Sequence, residues 1–175
     1  MILQYSKDSR FLNWKLYDTQ EHIDNIKKLP LKQFKNSNRY VLSLGVDYSY
    51  SNQTTTAISF DAYPPIKDLM DELNSELKTN FNSCLINYYP KGKTTGIGLH
   101  SDNEQELNSS IVASVSLGCD CEFTFVNSTE RVHVTLTDGD IFIMGINCQK
   151  YYKHEIRYKK MPQDRISLTF REFKV

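Results

Sequence analysis

Two histidines and one aspartate in this 175-residue sequence have the types and spacing to hold a divalent metal. In His100-Ser101-Asp102 an imidazole and a carboxylate stand two residues apart, so in an extended segment they point the same way. His154, far along the chain, is the candidate third ligand, delivered by a distant strand. Two histidines and one carboxylate occupy one face of an octahedral iron(II) and leave three positions for an oxidisable co-substrate and oxygen. Taken alone, H-x-D is also what a surface turn presents.

The C-terminal segment RISLTFR carries a second kind of chemistry. Alternation puts Arg165, Ser167, Thr169 and Arg171 on one face of a strand and Ile166, Leu168 and Phe170 on the other. The polar face has two readings: it lies in water, or it is the inside of a barrel. In the second, two guanidiniums suit the two ends of a dicarboxylate, because arginine forms forked, charge-assisted hydrogen bonds with carboxylates. Asn87 and Tyr89, in N-Y-Y, likewise share a face.

These residues need a scaffold of strands to meet. After Asn80 the chain reads as short β-rich runs separated by turn residues: SCLINYY, IVASVSL, EFTFV, RVHVTL, DIFIMG, HEIRY and RISLTFR. Such a series predicts an antiparallel sandwich or barrel, of which the jelly roll is one version. Before it, Ile66, Leu69, Met70, Leu73 and Leu77 form one apolar stripe behind Pro64-Pro65, which predicts a core-facing helix with Asp68, Asp71, Glu72 and Glu76 on its wet side. The first 60 residues suggest a helix within 19–29 and strands at 40–44 and 57–60.

Composition narrows the partners. With 39% hydrophobic and 24% charged residues the chain is an ordinary globular one, and no apolar run approaches the ~18 residues of a spanning helix. The start, MILQYSKDSR, has no signal-peptide core, so an intracellular, cytoplasmic protein is expected, not associated with a membrane. Lys plus Arg equals Asp plus Glu, at 21 each, which excludes a whole-body positive field for gripping nucleic acid but leaves local patches. Two windows are basic: 25–46, with Lys27, Lys28, Lys32, Lys35 and Arg39 and no acid, and QKYYKHEIRYKK, 149–160. Cys84, Cys119, Cys121 and Cys148 lack zinc-site spacing and read as reduced thiols.

The order N-x-Y, H-x-D, H, R-x-S-x-x-x-R resembles the AlkB family of iron(II)- and 2-oxoglutarate-dependent dioxygenases. The matching stretches are FNSCLINYYPKG (81–92), GLHSDNE (98–104), SVSLG (114–118), LTDGDIFIMG (136–145), the tract around His154, and RISLTFR, with weaker similarity back through DYSYS to residue 39. The HSDNE form and the short domain are most similar to the AlkB domains of plant RNA virus replicase polyproteins. In many relatives an Arg stands where this chain has Cys121.

That resemblance implies a mainly β protein with flanking helices, a double-stranded β-helix of jelly-roll type. It implies one domain over 1–175, with an N-terminal extension and nucleotide-recognition lid over about 1–80 and a catalytic core over about 81–175. His100, Asp102 and His154 become Fe(II) ligands. Arg165, Tyr89 and Ser167 would hold the distal carboxylate of 2-oxoglutarate, and Arg171 with Asn87 would lie near its chelating end. Glu104 would contact the exocyclic amine of a target base, and Tyr48 and Tyr50 would belong to the lid.

The implied reaction consumes O2 and 2-oxoglutarate, releases succinate and carbon dioxide, and hydroxylates an N-methyl group whose hemiaminal collapses to formaldehyde and the repaired base. The expected partner is methylated single-stranded RNA, with 1-methyladenine and 3-methylcytosine as candidate lesions. The expected state is a monomer or part of a larger polyprotein, in the host cytoplasm if viral. The alternatives are the same chemistry on DNA or protein, or a jelly-roll binding module without turnover.

Overall fold

The computed structural model describes residues 4–5, 8–50, 52–102 and 107–175. Two sheets face each other. The larger runs β1 (Gln4–Tyr5), β2 (Ser9–Phe11), β13 (Ile141–Met144), β10 (Val112–Gly118), β15 (Arg165–Arg171), β8 (Ser83–Tyr89), β4 (Tyr40–Leu44) and β3 (Lys32–Gln33), with β7 (Ala57–Ile58) beside β4. The smaller runs β12 (Arg131–Leu136), β11 (Cys121–Val126), β14 (Lys153–Lys160) and β9 (Thr94–His100). Neighbours pair antiparallel except β4 and β7, and a hairpin of β5 (Tyr48–Tyr50) and β6 (Gln53–Thr55) stands apart. The fold is mainly β with few helices, as the sequence pattern implied.

The helices explain why the central strands are buried on both faces. α1 (Thr19–Ile26) and α2 (Pro64–Leu77) put Ile23, Ile26, Ile66, Leu69, Met70 and Leu73 into one cluster with Leu42, Ile86, Ile166, Leu168 and Phe170. α2 starts where two prolines with preset φ occupy its first turn, and it stops at Lys78 in the left-handed region. All seven residues of β15 are consequently buried, its apolar face under the helices and its polar face between the sheets. The wet-face reading of RISLTFR is thereby overturned, because a second sheet covers that side. A further apolar cluster of Val112, Phe123, Phe125, Phe142 and Met144 closes one end of the space between the sheets.

Two elements escaped the sequence reading. β9, absent from the strand series above, is a strand whose Gly96 is forced by packing, since a Cβ there would lie 2.7 Å from the Ile156 carbonyl oxygen and the Tyr158 ring. α3 (Ile146–Tyr151) precedes β14 and overlaps the first residues of the basic window. The N-terminal residues are not set apart from the core, for β2 pairs with β13 and β4 with β8. No helix among the described residues is long and apolar enough to cross a membrane.

Candidate active site

His100 ends β9 and His154 is the second residue of β14, and the antiparallel register pairs them directly across the two strands. Their rings lie 4.3 Å apart. Asp102 follows β9 by two residues and is 1% exposed. One ligand atom from each of the three lies within 4.8 Å of the others, the one such grouping of His, Cys, Asp and Glu found among the described residues. His100 Nε2 is 3.7 Å from Asp102 Oδ1 and His154 Nε2 is 3.7 Å from Asp102 Oδ2. Ligands at about 2.1 Å from one octahedral metal stand about 3.0 Å apart. Binding an ion would draw these atoms, now within 4.8 Å of one another, together by no more than about 2 Å, and Asp102 Oδ2 is buried with no hydrogen-bond partner among the described residues. The donor set suits iron(II).

The surroundings orient each ligand. His100 Nδ1 donates to the Gly98 carbonyl at 2.8 Å, which leaves the Nε2 lone pair directed at the cluster. Phe123 stacks on His154 at 5.0 Å and 18°. The Asp102 backbone N–H donates to buried Gln149 Oε1 at 3.0 Å. Arg171 Nη2 donates to Asp102 Oδ1 at 3.1 Å. Burial would push the Asp102 carboxyl up, but the Arg171 guanidinium together with the two imidazoles outweighs it and holds it down at about 2. Burial lowers His154 to about 4 against the pull of Asp102, so its ring is neutral at ordinary pH. Metal ligation requires an ionised carboxylate at Asp102 and a neutral ring at His154, which is how this environment holds them.

A cavity of about 60 Å³ opens beside the cluster, walled in part by Asn87, Tyr89, Ser167, Thr169 and Arg171 and also lined by Tyr48 and Tyr50. Arg165 lies behind Tyr89, with its guanidinium 5.0 Å over the ring and Nε and Nη2 donating to Ser116 Oγ at 3.2 and 3.1 Å. The Tyr89 hydroxyl and Arg165 Nη1 are buried and have no hydrogen-bond partner among the described residues. Two strong donors without an acceptor are what a bound carboxylate would satisfy. Tyr48 is buried and has the Arg171 guanidinium 5.0 Å over its ring, whereas Tyr50 stands edge-on to His100 at 5.6 Å. Glu104 lies outside the described residues.

Sequence reasoning missed Gln149, Phe123, Phe34 and the role of Arg39. Gln149 had no local signal, since it acts through a contact 47 residues distant. Arg39 was noted only as part of a basic window, yet it is 6% exposed and lines the cavity.

The model of the 2OG-Fe(II) oxygenase superfamily matches residues 10–171. The DNA oxidative demethylase ALKBH2 of Arabidopsis thaliana is 28% identical over 161 residues, which cover 75% of this chain and 51% of that protein. The RNA-directed RNA polymerase of Apple chlorotic leaf spot virus is 28% identical over 149 residues, 85% of this chain and 8% of the viral protein. The chain thus spans about half of the one and a small part of the other. Among solved structures, that titled "The structure of OsALKBH1" superimposes with a TM-score of 0.68 at 20% identity, covering 98% of this chain and all of the other, a likeness of fold.

Proposed function

This chain belongs to the 2OG-Fe(II) oxygenase superfamily, and from that premise we propose that it oxidatively demethylates N-methylated bases in nucleic acid, with single-stranded RNA favoured. The observation that carries the reading is the convergence of His100, Asp102 and His154 beside a cavity lined by Tyr89, with Arg165 behind that ring; among the described residues the Tyr89 hydroxyl and Arg165 Nη1 have no partner. In the proposal His100, Asp102 and His154 hold Fe(II). Tyr89, Ser167 and Arg165 hold the far carboxylate of 2-oxoglutarate, while Asn87 and Arg171 border its chelating end. Bound there, iron and 2-oxoglutarate supply the oxidising power from O2.

The protein's own contribution is placement. Arg171 keeps Asp102 ionised, Gln149 and Phe123 fix two ligands, and Leu85, Val41 and Ile156 make apolar walls that keep bulk water from the reacting centre. A target base must leave its stack to enter, and Tyr50 edge-on to His100 provides one aromatic wall for it. Glu104 is proposed to accept a hydrogen bond from the exocyclic amine of adenine or cytosine.

RNA is favoured because two viral relatives carry the names RNA-directed RNA polymerase and RNA replication protein, and because a chain with balanced charge suits a splayed strand gripped by local lysines. On the same grounds the domain acts within the host cytoplasm, alone or inside a longer polypeptide. A second reading, DNA as substrate, is favoured by the ALKBH2 relatives.

Anaerobic loading with Fe(II) and 2-oxoglutarate, followed by oxygen, should yield succinate, and formaldehyde should appear with RNA carrying 1-methyladenine or 3-methylcytosine. Absence of succinate with every methylated oligonucleotide would overturn the reading. Faster release of formaldehyde from matched DNA at the same salt would transfer the substrate to the second reading.

A further inference from the structure

We propose that Arg39, supplied by the segment before β4, is an additional ligand for the distal carboxylate of 2-oxoglutarate. The proposal rests on the co-substrate reading above. β4 and β8 pair Tyr40 with Tyr88, so Arg39 lies opposite Tyr89, and β8 and β15 pair Tyr89 with Arg165. Two arginines and a tyrosine therefore stand in a row across three adjacent strands, at a strand spacing of about 4.8 Å.

The guanidinium of Arg39 is not a surface group. The residue is 6% exposed, it lines the cavity, and its Nε and Nη1 are buried with no hydrogen-bond partner among the described residues. What it touches is the Phe34 ring, 4.0 Å away, and among the described residues no carboxylate forms a salt bridge with it. Tyr89 and Arg165 carry the neighbouring unpartnered groups. Burial pushes the Tyr89 phenol up while Arg165 and Arg39 both pull it down, so both cations bear on the same hydroxyl, which remains a donor at neutral pH. Two buried cations and a phenol with idle donors are costly to leave unpaired, and a single anion between them satisfies all three.

The anion is small. With Arg39, Tyr89 and Arg165 at 6%, 1% and 1% exposure, a nucleic-acid phosphate would have to bring its chain into the space between the sheets, whereas a carboxylate at the end of a short acid reaches it from the metal side. Arg39 also ties this end of the cavity to the aromatic wall, because Phe34 lies 6.0 Å from Tyr50, which faces His100.

Equilibrium binding to Mn(II)-loaded protein, measured by calorimetry, tests the assignment without turnover. Arg39→Met should weaken 2-oxoglutarate roughly 10- to 150-fold, the worth of a charge-assisted contact. It should leave 2-oxobutanoate, which lacks the distal carboxylate, and Mn(II) itself unchanged. Arg39→Lys, which keeps the charge and loses the fork, should fall between and serves if the methionine variant does not fold.

Unchanged 2-oxoglutarate affinity in the folded variants overturns the assignment, as does an equal loss for both keto acids. Weakened RNA binding with intact 2-oxoglutarate affinity overturns it in favour of a phosphate contact. Wild-type protein that binds no 2-oxoglutarate overturns this proposal and the functional reading together, whereas wild-type binding with an indifferent Arg39 overturns this one alone.

Discussion

Asp102 concentrates the electrostatics of the site, since one buried carboxylate faces two imidazoles and a guanidinium. Replacing it with Asn removes the charge that those groups surround and should lower Mn(II) affinity by more than about 100-fold, above the usual range for losing a supporting contact. Gln149 tests the support itself. Its amide oxygen holds the Asp102 backbone, so Gln149→Ala should cost about 10- to 100-fold in metal affinity, read by calorimetric titration on protein that is still folded, with the orphaned Asp102 N–H lowering stability by about 1–3 kcal/mol. An unaltered affinity would show that β9 and β14 position Asp102 unaided. Arg165→Met should raise the 2-oxoglutarate dissociation constant by roughly 10- to 150-fold, since the guanidinium beside Tyr89 is a charge-assisted donor. The residue types of the cluster were legible in H-x-D and RISLTFR because strand periodicity is local. Gln149 and Arg39 were not, because what makes them matter is a partner on another strand or loop.

At the scale of elements, β9, β14 and β15 do the positioning. The register of β9 with β14 delivers the two histidines face to face, with shifts between His154 and Ile156 and again before Lys159 that local pattern does not reveal. Glycines at 96 and 98 lower strand propensity, which is why β9 is missing from the strand series legible in the sequence, yet Gly96 is needed where Tyr158 crosses. The turn that feeds β15 has a similar dependence. Gly118 has φ +93°, and a Cβ there would collide with the Asp164 carbonyl oxygen. Gly118→Ala should therefore destabilise the fold by about 1–3 kcal/mol, measured as a lowered urea midpoint. Because Gly118 pairs with Arg165, the same variant should also weaken 2-oxoglutarate binding.

For the whole molecule, the buried site makes the metal-free protein acid-sensitive. His154 is depressed from 6.5 to about 4 by burial, so the unfolded chain binds its proton first, and stability falls as pH drops from about 6.5 towards 4. Asp102, held near 2 against an ordinary 3.8, adds a second loss below pH 4. The thermal midpoint of metal-free protein should be level above pH 7 and decline through that window, and His154→Gln should flatten the upper part of the decline. A midpoint independent of pH between 7 and 4 would contradict the burial of His154. The amino-acid sequence by itself determined the period-2 strands, the stripe of α2, the residue types of the cluster and the family they resemble, since each is written in neighbours a few positions apart. Tertiary structure alone decided that the polar face of β15 is dry, that Arg39 is buried among idle donors, and that Gln149 holds Asp102. Those facts depend on which surfaces a second sheet and two helices cover, and burial is a property of the packed whole that no local spacing encodes.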